Sequence, residues 1–126
     1  MPLVRIDLRR GKSVSYREEV TRLIYDALTE AGVPEDDRFQ IVNEHNADNF
    51  YYSPKYLGIE RTDDLIIIQI TWNEGRSLDQ KKALYKCIAD RLTNGVGIRS
   101  EDVFINLVEV KKENWSFGNG EAQYAK

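Results

Sequence analysis

Pro2 is the residue of this chain that offers unusual chemistry. Removal of the initiator methionine leaves it as a free secondary amine, able to act as nucleophile or base, and a strand starting there would hold it rigidly, as a general base must be held. An α-amine near pKa ~8 needs only about one unit of depression, ~1.4 kcal/mol, to be half neutral at pH 7. Arg76 lies in the turn Asn73-Glu74-Gly75-Arg76, directly before a helix cap. Its guanidinium and the unpaired first-turn amides of that helix favour an anion, above all a carboxylate. A cationic Arg76 and an apolar wall of Trp72, Trp115 and Phe117 push an amine towards neutrality, whereas Asp37 favours the cationic amine or holds a water. Both protonation states stay open at this point.

Other chemistries are poorly supplied. The single cysteine, Cys87, excludes an internal disulfide and a multi-cysteine zinc site, and the single histidine, His45, cannot build a histidine-rich metal site. Both read as structural residues. With 18 basic against 21 acidic residues and a net charge of -3, no basic stripe exists to follow a nucleic-acid backbone. The local cluster Arg9-Arg10 with Lys12 reads as a solvated turn. No apolar run reaches membrane-span length and no signal-peptide layout opens the chain, so a cytoplasmic protein is expected.

The elements that must position Pro2, Asp37 and Arg76 follow from periodicity. Leu3 to Leu8 alternates as a first strand. Ser15 with Glu18 forms a capping box for a helix whose stripe is Val20, Leu23, Ile24, Ala27, Leu28 and Ala31, closed by Gly32 and Pro34. A second strand runs from about Arg38 to Glu44. Asn46 to Gly58 is an irregular excursion with a short strand around Phe50 to Tyr52. The run Asp64 to Trp72, nearly all β-branched or aromatic, reads as a central strand buried on both faces. Ser77 with Gln80 caps a second helix that ends near Leu92 at Asn94, Gly95 and Gly97, with Leu84, Cys87, Ile88 and Leu92 inward. A final strand spans Val103 to Val110.

The chain thus reads as strand-helix-strand twice, and the halves, about 1–60 and 61–126, superpose at a constant offset of 64 residues (75 − 11): Gly11 on Gly75, Ser13 on Ser77, Leu28 on Leu92. The expected fold is α+β: duplicated β-α-β units forming one mixed four-stranded sheet, two helices on one face, plus short extra strands, in one domain spanning 1–126. Each unit has parallel strands. If an approximate two-fold relates them, strands one and three pair antiparallel at the centre, which brings Pro2, Asp37, Arg76, Trp115 and Phe117 to one edge. The opposite edge has Lys12 in place of Arg76 and no free amine, so one half has lost its site.

Pro2, Asp37, Gly75-Arg76-Ser77 and Trp115-Ser116-Phe117-Gly118, with Val33-Pro34, Asp37-Arg38 and Asp79-Gln80-Lys81, make the chain resemble the tautomerase superfamily, in particular the branch containing malonate semialdehyde decarboxylase. The resemblance implies a homotrimer, a processed N-terminal proline as catalytic group, a small carboxylate substrate and neither metal nor organic cofactor. Residue by residue it implies Pro2 as the proline, Arg76 as the carboxylate-binding arginine, Asp37 as the partner of proline and water, and Trp115 and Phe117 as a hydrophobic wall. Where the decarboxylase has two arginines in an Arg-Pro-Arg turn, this chain has Glu74-Gly75-Arg76. That departure favours a Pro2-dependent tautomerase of a small 2-oxo acid or its enol. Against it stand a decarboxylase or hydratase using cationic Pro2 with Asp37, and a non-enzymatic oligomeric module.

Overall fold

Alternation in the first residues is sufficient to make a sheet strand. In the computed structural model, which describes residues 1–125, β1 (Pro2–Arg9) buries Val4, Ile6 and Leu8 on one face and turns Arg5 to solvent. It is followed by α1 (Val14–Glu30), β2 (Phe39–His45), the two-residue strands β3 (Lys55–Tyr56) and β4 (Ile59–Glu60), β5 (Ile66–Asn73), α2 (Leu78–Val96) and β6 (Val103–Val110). Strand order in the main sheet is β2-β1-β5-β6, with β1 and β5 antiparallel and the outer pairs parallel. Arg5 pairs with Gln69, and these two residues are 64 apart, so an approximate two-fold axis passes between them. This is the arrangement that a duplicated β-α-β unit predicts.

Both helices pack on one face of the sheet. Val20, Leu23, Ile24, Ala27 and Leu28 of α1, with Leu84, Ile88 and Leu92 of α2, meet Ile6, Ile66, Ile68 and Ile70 in one core. Each fully buried aliphatic side chain contributes roughly 1.5–3 kcal/mol relative to exposure. Cys87 is only half-buried and packs at the margin of this core. His45 is a structural residue of β2, with Nε2 2.6 Å from Asp7 Oδ1 and its ring stacked on Phe50.

Several local expectations are corrected. The α1 cap is Ser13, which accepts from the Tyr16 amide, and not the Ser15–Glu18 box. The box at Ser77 and Gln80 does form. Helix α2 runs four residues past Leu92 because Gly95 lets it approach α1: a Cβ there would stand 2.5 Å from Leu23 Cδ1. The helix then ends at Gly97 with φ +74°. Strand β5 is buried on one face only. Ile66, Ile68, Ile70 and Trp72 are covered, whereas Ile67, Gln69 and Thr71 are half-exposed, since both helices lie on the same side. That open face also carries Phe39 and Ile41 of β2 and Phe104 and Val108 of β6, all exposed. No strand forms at Phe50 to Tyr52. Phe50 is instead buried under the excursion, and its short strands are β3 and β4, reversed through Leu57 and Gly58 at positive φ.

Candidate active site

Sheet register assembles the predicted residues. Antiparallel pairing sets Pro2 opposite Trp72, the penultimate residue of β5. Parallel pairing sets Leu3 beside Phe39, so Asp37 stands level with the start of β1. On the far side Asn73 pairs with Val110, and the Glu74 amide donates to Val110 O at 2.9 Å, so the Arg76 turn and the segment after β6 leave the sheet together. Pro2 therefore does enter the ladder, as a buried residue. It is tolerated there because a strand's first residue is a position where a missing N–H costs little.

Asp37 is positioned by the end of α1. Gly32 turns the chain at φ +101°, Val33 donates to Leu28 O, and the Asp37 amide closes a turn on Pro34 O at 3.0 Å. Its carboxylate receives the chain terminus: the Met1 amine lies 3.3 Å from Asp37 Oδ2, with the two side chains only 7% and 14% exposed. Asp37 Oδ1 is buried with no hydrogen-bond partner among the described residues. It is open to accept a hydrogen bond from a group entering beside it.

Arg76 stands over the Trp72 ring, its Cζ 3.9 Å from the centroid, and donates from Nη1 to Asn73 O at 3.0 Å. The planar guanidinium suits this stack in a way an ammonium does not. Burial pulls its pKa down from the ordinary value, and Glu109 opposes that in part. Trp72, read from the sequence as part of an apolar wall, is 1% exposed and forms the platform beneath Arg76. Two of the helix amides offered to an anion are also consumed. Ser77 Oγ accepts from the Gln80 amide, and Gln80 Oε1 accepts from the Ser77 amide.

The wall comes from the segment after β6. Trp115 donates from Nε1 to Asn73 Oδ1 at 2.8 Å and stacks on Phe117 with centroids 5.4 Å apart. Phe117 meets Tyr124 edge to face at 4.9 Å. Phe117 and Tyr124, with Met1, Pro34, Asp36, Asp37 and Phe39, line an open cleft of about 350 Å³. Tyr124 is not among the residues that the sequence points to, whereas Met1 enters there as the residue whose removal frees Pro2. The signal for Tyr124 was Gly118-Asn119-Gly120, all three at positive φ, which turns the chain back so that an aromatic beyond it can face Phe117. Pro2, Arg76, Trp72 and Trp115 do not line this cleft, and Met1 stands along it.

At the opposite edge the cations are occupied. Lys12 Nζ lies 2.7 Å from Asp64 and Arg9 Nη1 lies 3.1 Å from Asp63. Arg10 donates to Asn46. The turn is solvated as expected, with Arg10, Gly11, Asp63 and Asp64 exposed, and it is also ion-paired, because the chain entering β5 supplies the two carboxylates. Among the described residues no helix is long and apolar enough to cross a membrane, and no group of three or more His, Cys, Asp or Glu is placed to hold a metal ion.

The duplicated β-α-β sheet, which carries Pro2 at the head of β1, Asp37 level with that start and Arg76 in the turn after β5, has a fold that comparison with known proteins assigns to a class of enzyme. Family profiles described as "Tautomerase enzyme" match residues 37–118 and 2–59. The chain belongs to the tautomerase superfamily of enzymes, in its malonate semialdehyde decarboxylase-like branch. It is 47% identical over 124 residues to the probable tautomerase YusQ of Bacillus subtilis (strain 168), covering 98% of each chain. It is similar to a malonate semialdehyde decarboxylase whose structures were described as a basis for decarboxylase and hydratase activities: 30% identity, TM-score 0.90, 97% of this chain and 95% of that one. It shares its fold with a fused 4-OT symmetric trimer at 19% identity, TM-score 0.79, with 98% of each chain covered.

Proposed function

We propose that this enzyme is a tautomerase of a small 2-oxo acid or its enol, with Pro2 as general base and Arg76 as the carboxylate clamp. The observation that carries the reading is the seating of the chain terminus: Pro2 is held in the sheet opposite Trp72, the platform of Arg76, while the amine one residue before it rests on Asp37. Loss of Met1 moves the free amine to Pro2 and vacates the part of the apolar cleft that Met1 lines beside Asp37. Neutral Pro2 then takes the enol O–H proton and returns a proton to C3, so the reaction is a net isomerisation with no other reactant. Arg76 holds the carboxylate through charge-assisted hydrogen bonds, Trp72 supports Arg76, and Trp115 and Phe117 build the apolar wall. The test is ketonisation of phenylenolpyruvate by mass-verified, methionine-free protein beside Pro2→Ala. Activity lost in the variant supports the reading, and equal rates sink it.

A second reading is favoured by one feature. Asp37 stands against the terminus with Oδ1 free, which suits a cationic Pro2 working with Asp37 and water in decarboxylation or hydration. Glu74, standing where the decarboxylase has the first arginine of its Arg-Pro-Arg turn, argues against it. Asp37→Asn separates the two, since only decarboxylation or hydration should depend strongly on that carboxylate.

The working form in this reading is a homotrimer of single-domain chains. Phe39, Ile41, Phe104 and Val108 expose an apolar sheet face that a second copy can cover, and the fused 4-OT relative of the same fold is trimeric.

A further inference from the structure

We infer that Gln123 is a positioning residue that sets the apolar wall of the cleft and so governs binding of a ring-bearing carboxylate; the inference rests on the proposal that Phe117 and Tyr124 face the substrate. The segment from Trp115 to Ala125 has no strand partner. Gly118, Asn119 and Gly120 all take positive φ; Glu121 N–H donates to Gly118 O at 3.3 Å, and Ala125 N–H donates to Ala122 O at 3.0 Å in the turn that carries Gln123. Phe117 and Tyr124 are 38% and 43% exposed, so the core does not hold them.

The Gln123 side chain supplies what is missing. Its Oε1 accepts from the Phe117 amide at 2.9 Å and its Nε2 donates to Gly118 O at 2.8 Å. One amide thus uses an acceptor and a donor against two successive backbone groups, as a neighbouring strand would. It closes the reversal into a ring. The residue after it, Tyr124, is delivered edge-on to Phe117, which stacks on Trp115, which is anchored to Asn73. Asn73 O also accepts from Arg76. The wall and the proposed carboxylate clamp therefore share one anchor, and Gln123 sets the free end of the wall. Alanine at 123 removes both bonds without touching the anchored end.

The experiment titrates methionine-free wild-type, Q123A and Pro2→Ala protein with 3-phenylpropanoate and with propanoate, read by NMR, together with hydrogen exchange at the Phe117 amide. Wild-type protein should bind the ring-bearing acid more tightly. Q123A should weaken it about tenfold, equivalent to ~1.4 kcal/mol, leave propanoate within about twofold, and speed exchange at Phe117. Equal weakening of both acids, unchanged binding of 3-phenylpropanoate, or an unchanged Phe117 amide overturns the inference. Because binding needs no proton transfer, Pro2→Ala protein that turns over like wild type sinks the Pro2 reading without touching this one.

Discussion

Arg76→Gln tests the proposed site most directly. The guanidinium is held by its stack on Trp72 and one bond to Asn73 O, so its remaining donors are available to a carboxylate. Lys81, the nearest basic residue along α2, is bound to Glu109 at 2.5 Å. Hydrogen bonds to charged groups contribute about 1.5–3 kcal/mol, so kcat/KM for phenylenolpyruvate should fall roughly 10- to 150-fold. Arg76→Lys keeps the charge but not the planar fork, and should fall between the two. Loss of the stack also removes about 0.5–1 kcal/mol of cation–π energy, a Tm decrease of a few degrees for a chain of this size. Steady-state rates and a melting curve on the same samples separate the effects. An Arg76→Gln protein with wild-type kcat/KM would refute the assignment of the carboxylate to this residue, and a collapse of Tm would show that Arg76 is chiefly structural.

Three further outcomes are expected. Asp102 is fully buried and accepts from the Thr62 amide at 2.7 Å and the Thr62 hydroxyl at 2.5 Å, so Asp102→Ala should cost about 2–4 kcal/mol in denaturant unfolding while kcat is kept. Burial pushes the Tyr16 phenol up and a hydrogen bond to Asp63 pushes Tyr52 up, so two of the seven tyrosines should ionise late in an absorbance titration. A raised folded pKa means stability present below the unfolded pKa of about 10 and lost as pH rises through the folded value, so alkaline unfolding should accompany the late phase; Asp63→Ala should abolish only the Tyr52 delay. Phe104→Asp on the open sheet face should lower the native mass in light scattering, and an unchanged assembly would remove that face from the interface.

Signals local in the chain carried far in this protein. Alternation in β1 and β5, the Ser77–Gln80 cap and the stripes of the two helices follow from side-chain period alone, and the 64-residue repeat then implied the antiparallel central pair. Given that pair, Pro2, Asp37 and Arg76 had to share an edge, because strand ends level with each other are fixed by register. What depended on packing was not legible. Covering one face only left β5 half-exposed, and a close helix approach carried α2 through Gly95. Burial of Phe50 drew the excursion away from a strand there. The acids Asp63 and Asp64 neutralised Arg9 and Lys12 across distances that no sequence spacing encodes. The wall of the proposed site was likewise a tertiary matter. Trp115 and Phe117 were visible as residues, but only the folded chain brings Tyr124 onto Phe117, clamps the reversal with Gln123, and sets Trp72 beneath Arg76, since each contact joins segments whose separation depends on how the backbone turns between them.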